Sequence, residues 1–432
     1  MTYLRMGSRS AALLTLLCLV LALISGCAAH TGGDTIAYLR DGVLWTIQPD
    51  GSNRLNVAGN SVVGFAWSPN HHELVYRAGA SAMLAAQGRQ QPSTLGAPDA
   101  PSLIVVASIN GGAAIQVSPD QDASLRSDAW WDPSGHRLLY AEDLGSPAAA
   151  PEYIVSQADQ PAGIARKHVA NSATIPVLSP DGYTVAVVDS SGAVRLGKPE
   201  VESGVLATGA LATLPQSGRP ARILWQPKRQ AVLYARAASS GVSLVLRDIG
   251  GSRETVVGTS AVILDYAFSP DGSRLLVQTP TALEEWNVTQ PGPPIATWPE
   301  SDPYALAWWA HDDQFILVQD ATGIALADAR SGAETSLVTY AQPATAAQTA
   351  SPVSWRPAAG SPWSSDGSQF VFVSGPGTWR GASLAASQAG STGLYVANPT
   401  SSSSPPRLVD SGPDSMPSWS YADPSTTFLV AG

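Results

Sequence analysis

The sequence predicts an all-β fold, a single β-propeller, and three observations carry that expectation. An aromatic-plus-turn anchor recurs along the chain, each copy leads into a β-branched and aromatic run, and Gly 39 and Pro 34 in 432 residues mark a chain that turns often. Charged residues are only 13%, and no 3.6-residue or heptad periodicity is found that would build helices. Hydrophobic residues at 44% are enough for a large core.

The clearest anchors are Phe65-Ala66-Trp67-Ser68-Pro69-Asn70, Ala129-Trp130-Trp131-Asp132-Pro133-Ser134-Gly135, Val177-Leu178-Ser179-Pro180-Asp181-Gly182 and Tyr266-Ala267-Phe268-Ser269-Pro270-Asp271-Gly272. Weaker copies lie at Leu224-Trp225-Gln226-Pro227, Ala307-Trp308-Trp309-Ala310-His311-Asp312, Pro362-Trp363-Ser364-Ser365-Asp366-Gly367 and Ser418-Trp419-Ser420-Tyr421. Positions aligned with the proline are 69, 133, 180, 227, 270, 311, 365 and 421, so spacings run 64, 47, 47, 43, 41, 54 and 56. A period in the forties suits four short strands and their turns, the content of one blade.

Each part of the anchor has a physical reason. Proline presets φ early in the turn, Asp caps backbone amides, and glycine accepts positive φ. Runs such as Leu74-Val75-Tyr76 and Leu275-Leu276-Val277 suit strands buried on both faces between neighbouring blades. Eight of the 13 tryptophans sit at the anchors, where large flat rings fill the space between stacked sheets.

Second hairpins follow, as in Leu244–Ile249 with Glu254–Val257 and Gly323–Asp328 with Thr335–Val338. Ile36–Leu39, Val43–Ile47 and Arg54–Val57 read as the last three strands of a blade lacking its first. Met416–Ser420 supplies that first strand, and shared ends close the ring and remove open edges. Eight four-stranded blades are expected. Seven is the alternative, because Ile36–Leu39 and Phe428–Val430 compete for one slot.

The N-terminus reads as an export signal. Arg5 and Arg9 precede the apolar run Ala11–Ile24, too short for a bilayer span and right for a signal peptide, and Leu23-Ile24-Ser25-Gly26-Cys27 ends it. That ending resembles the lipobox of bacterial lipoproteins. The resemblance implies removal of residues 1–26, acylation of Cys27 and a tether over 27–35 ahead of the propeller at 36–432. Several acyl chains, at ~0.8 kcal/mol per buried CH₂, anchor stably. Localisation is then extracytoplasmic and membrane-attached.

The repeated anchors resemble the TolB-like and WD40-like (PD40) propeller repeats over nearly the whole mature chain. With the lipobox, the chain is similar to propeller lipoproteins of bacterial envelopes, including the LpqB-type propeller. Unlike TolB, it has no domain ahead of the repeats, so TolB's partnership with the peptidoglycan-associated lipoprotein is not carried over.

Chemistry is sparse. The net charge of −10, with Lys only at 167, 198 and 228 and no basic patch, argues against nucleic acid. No cysteine follows Cys27, so neither a disulfide within the body nor a thiolate metal site is expected. Adjacent His71 and His72 point oppositely on a strand and are read as solvated turn residues, as are His136 and His311. No Gly-x-Ser-x-Gly elbow or phosphate-cradling loop is present. Neither cofactor nor metal is expected, and the chain is read as a non-catalytic monomer.

Three polar inserts, Ala78–Pro101, Ala341–Ser351 and Gly375–Thr392, are candidate binding loops. Within the last, Trp379 beside Arg380 is either an exposed recognition residue or, preferred, a partly buried loop anchor. The expected function is a scaffold presenting loops to an envelope protein or peptide. Alternatives are a carbohydrate-binding or carbohydrate-processing propeller, suggested by the tryptophans, and a hydrolase or lyase built in the central funnel.

Overall fold

In a computed structural model, the structure describes residues 35–420 except 60, 80–101, 112, 120–125, 127–128, 143–151, 158–166, 172–176, 189–192, 198–222, 250–252, 301, 303–304, 342–360, 385–391, 402 and 413. The described strands form eight sheets, seven from one region of the chain each, two of these interleaved through the hairpin Gly377–Trp379 and Ala382–Ser383, and one from both ends. Blade 1 is the shared sheet, in which Asp414–Trp419 pairs with Ile36–Arg40, followed by Val43–Ile47 and Leu55–Ala58. Blade 2 holds Val62–Trp67, Glu73–Gly79, Ser102–Ser108 and Ile115–Gln116. Blade 3 holds Trp130–Trp131, Arg137–Glu142, Glu152–Gln157 and Lys167–Asn171, and blade 4 Val177–Leu178, Val185–Val188 and Val194–Gly197.

Blade 5 comprises Leu224–Trp225, Ala231–Ala238, Gly241–Asp248 and Glu254–Ser260. Blade 6 comprises Asp265–Phe268, Arg274–Gln278, Ala282–Asn287 and Ala296–Pro299. Blade 7 runs Leu306–Trp309, Phe315–Gln319, Gly323–Asp328 and Glu334–Tyr340. Blade 8 has Trp363 bridged to Phe370–Ser374, then Gly393–Ala397 and Arg407–Ser411. Eight blades is the count the sequence favours and seven the alternative; seven blades are each built from one region of the chain, matching the alternative, and the two-ended sheet closes the ring between the last of them and the first.

No sheet hides its own apolar faces. Clusters occupy every junction, from Leu39 with Phe65 between blades 1 and 2 round to Val371 with Tyr38 between blades 8 and 1. The blade 7–8 junction is the most aromatic, with Phe370 on Phe372 at 5.3 Å and Phe372 on Tyr395 at 5.4 Å between ring centroids. First strands of neighbouring blades touch, as Val62–Trp67 does Trp130–Trp131, so the sheets converge on that side.

The residue ending each first strand is Trp67, Trp131, Leu178, Trp225, Phe268, Trp309, Trp363 or Trp419. Four of these indoles donate to the first strand of the preceding blade: Trp67 Nε1 to Ser418 O at 3.3 Å, Trp131 to Ala66 O at 3.3 Å, Trp225 to Val177 O at 2.9 Å, and Trp363 to Trp308 O at 3.3 Å. Each ring therefore fills the gap between sheets and also fixes their offset.

The turn after it is a small network. Ser269 Oγ donates to Asp271 at 2.7 Å and accepts from the Arg274 amide at 3.1 Å, while Asp271 accepts from the Ser273 amide at 2.8 Å. Ser68, Ser179 and Ser364 repeat the pattern. Gly182, Gly272 and Gly367 occupy positive φ in the fourth position, as the turn requires.

Blade 1 completes the same turn from two chain ends. Ser420 N donates to Thr35 O at 2.8 Å, as Ser68 N does to Glu73 O at 2.9 Å, and Ser420 Oγ accepts from the Thr35 amide at 3.3 Å. Ile36–Arg40 thus takes the contested slot. Phe428–Val430 lies outside the described residues.

Candidate binding face

An antiparallel meander puts its first-to-second and third-to-fourth turns at one end of the sheets and the remaining connections at the other. The first end carries the short first-to-second turns, such as 68–72, 226–230 and 269–273, and tight third-to-fourth turns such as 329–333. These turns lock to one another: Arg137 Nη2 donates to Gly182 O at 2.6 Å, Gln226 Nε2 to Gly272 O at 2.7 Å and Gln230 Nε2 to Asp181 at 2.5 Å. Arg274 reaches Asp313 O while stacking on Trp309 at 4.8 Å.

Three of the four longest connections leave from the opposite end. The four are 80–101 between the second and third strands of blade 2, 198–223, which starts at the tight-turn end after the third strand of blade 4 and enters blade 5 at the opposite end, 341–362 ahead of blade 8, and 375–392 inside blade 8. That end is the candidate binding face. Most of the first three connections lies outside the described residues, as do Cys27 and the signal segment.

Beneath this face the apolar core gives way to buried polar groups. Arg126 pairs with Glu142 at 2.8 Å, both almost fully buried, Gln278 donates to Asp302 O at 3.2 Å, and Gln319 donates to the Tyr340 hydroxyl at 2.9 Å. At the blade 8–1 junction Arg40 grips Asp414 with two bonds of 2.6 and 2.9 Å and reaches Asp410 at 2.9 Å, while Tyr38 donates to Asp410 at 2.5 Å. Burial, with Asp410 alongside, drives the Tyr38 hydroxyl far above its usual range. Burial also raises the Asp414 carboxyl, and the hydrogen-bonded Arg40 opposes that rise. The cluster ties the closing strand to the second.

Trp379 is not an exposed recognition residue. It is 4% exposed and packs on Phe370 and Phe372. The reason is a hairpin, Gly377–Trp379 with Ala382–Ser383, that folds back from blade 8 and pairs with the outer strand of blade 7. Arg380 N donates to Leu337 O at 2.8 Å, and the exposed Arg380 side chain reaches Pro399 O. The pair therefore lies on the outer rim as a clasp between two blades.

The indoles that suggested carbohydrate are also core groups, with every described tryptophan buried or partly buried. His71 corrects its expected place as a solvated turn residue: it sits at φ 63 and its Nδ1 bonds the Ser420 carbonyl across the ring closure. Among the described residues no group of His, Cys, Asp and Glu is arranged to hold a metal. Beside the Asp320–Thr322 turn, Glu300, Asp320 and Glu334 line a half-open cleft. No spacing in the sequence joined those three acids, nor Arg40 to Asp410 and Asp414, because the partners lie on different blades or opposite chain ends.

No protein-family model and no curated protein matches the chain. Solved structures do. A eukaryotic initiation factor shares 11% identity over 92% of this chain and 98% of its own, with a TM-score of 0.51. The C-terminal WD40 domain of Sif2 shares 12% over 78% and 81%, with a TM-score of 0.46, and TolB from Acinetobacter baumannii 11% over 89% and 81%, with a TM-score of 0.38. At such identities the likeness is one of fold: the chain is an all-β propeller with TolB and WD40 propellers among its structural neighbours.

Proposed function

We propose that this chain is a membrane-anchored, extracytoplasmic propeller lipoprotein that serves as a non-catalytic scaffold, presenting its long-connection face to a protein or peptide. The observation that carries the reading is the division between the two ends. One carries short interlocked turns, and the other sends out three of the four longest connections over a rigid base. Binding loops on a fixed scaffold lose less freedom on capture than loops on a mobile one. The Cys27 lipobox supplies the anchor in this reading.

Photo-crosslinkers placed at Ser239 and Thr322, exposed at the long-connection end, test it against crosslinkers at Ser273 and Ser368 on the tight turns. In intact envelopes, protein adducts are expected from the first pair alone. Adducts from neither pair, or equally from both, sink the proposed face. Separately, Cys27→Ser is expected to move the protein from the membrane to the soluble fraction; unchanged fractionation removes the anchor.

A further inference from the structure

Tyr183 departs from the rest of the tight-turn face. It is 74% exposed, the most exposed large hydrophobic side chain among the described residues, yet its turn is tied down on both sides. Arg137 of blade 3 donates to Gly182 O at 2.6 Å, and Gln230 of blade 5 donates to the Asp181 carboxylate at 2.5 Å. The second bond brings the turn of blade 5 alongside, and that turn exposes Lys228 and Arg229. Among the described residues neither cation is in an ion pair. Lys228 stands at φ 59, a left-handed conformation better suited to glycine, so the charge is kept there at a backbone cost. Asp181, the acid between them, already accepts from Ser179 Oγ, the Tyr183 amide and Gln230.

We infer that Tyr183, Lys228 and Arg229 form a second docking surface, separate from the long-connection face, and that it takes an acidic protein segment. Two exposed cations beside an aromatic ring offer charge complementarity to carboxylates and a flat contact for the segment's apolar atoms. Both turns are fixed before binding, so little freedom is lost on capture. The surroundings select the shape of the partner. On the same face the turns of blades 6, 7 and 8 expose Asp271, Asp312 and Asp366. A broad anionic surface such as a bilayer meets those carboxylates along with the cations and is repelled by them. A narrow segment lying across blades 4 and 5 meets the cations and avoids the acids.

The purified protein is titrated into a fluorescein-labelled dodecapeptide of Glu-Leu-Glu-Gly repeats, and anisotropy reads the binding. Saturable binding that weakens as salt rises is expected. Tyr183→Ala is expected to weaken it about tenfold, and Lys228→Glu combined with Arg229→Glu to abolish it. Leu55→Ala, exposed on the outer strand of blade 1, is expected to leave it unchanged. No saturable binding, or binding that survives the Tyr183 and charge-reversed variants intact, overturns the surface. Protein carrying Cys27→Ser is floated in parallel with phosphatidylglycerol vesicles. Flotation that the charge reversal removes assigns the patch to lipid and overturns the acidic segment; protein that stays at the bottom of the gradient supports it. Circular dichroism of each variant confirms that the ring is still folded. Failure here leaves the long-connection face standing, because that face is tested separately at Ser239 and Thr322.

Discussion

The two ends of the propeller are made from the same strands and differ in almost everything else. At one end, serine, aspartate and glycine satisfy the backbone inside each turn, and arginine or glutamine carries bonds to the next turn. At the other, buried pairs such as Arg126–Glu142 and Gln319–Tyr340 cap the core beneath connections of variable length. Under the proposed function, stability and recognition are thus separated along the strand axis. A repeat can diverge at one end without losing its place in the ring.

The comparison breaks first at the tight-turn end. Trp419→Ala empties the closing junction beside Ile36, Tyr38 and Val371, and is expected to cost about 4 kcal/mol in urea unfolding. Next, Trp225→Ala should cost about 3 kcal/mol and Trp225→Phe about 1, since phenylalanine keeps most of the packing and loses the bond to Val177. Equal losses for the two variants would assign the whole effect to the indole bond. Ser269→Ala, which removes a buried hydroxyl from its turn, should lower the unfolding free energy by about 1–2 kcal/mol. Thr322→Ala at the opposite end should stay within about 0.5 kcal/mol.

A smaller effect depends on pH. Burial, with Asp271 nearby, pushes the Asp313 carboxyl up to about 6, and its Oδ1 has no partner among the described residues. The folded chain then holds this proton to a higher pH than the unfolded chain does. This group favours folding most fully below about pH 4, and that contribution is lost as pH rises through about 6. Asp313→Asn should therefore raise stability by about 1 kcal/mol near pH 8, after allowance for solvent screening, with little change near pH 4. A parent-minus-variant difference that stays flat with pH would refute the assignment.

The fold was legible because its most repeated element is chemically demanding. Few residues other than serine, aspartate and glycine in that order satisfy the turn, so even decayed copies such as Ser364-Ser365-Asp366-Gly367 remained recognisable. The sharing of blade 1 was readable from three orphan strands. Trp379 was harder, because glycine and proline around it suit an exposed loop and an edge hairpin equally. His71 was misplaced because its partner, Ser420, comes from the far end of the chain. The Arg40–Asp410–Asp414 cluster had no local signature at all.

Synthesis runs from the N-terminus, whereas the ring closes on Trp419. Ile36–Arg40, the earliest of the described strands, keeps one backbone edge unpaired until Asp414–Trp419 has been made. Final assembly waits on a contact of very large sequence separation, which slows it and lengthens the exposure of that edge to other chains. A stalled or truncated product therefore offers a ready strand partner, and prompt delivery of the last blade guards the cell against aggregation.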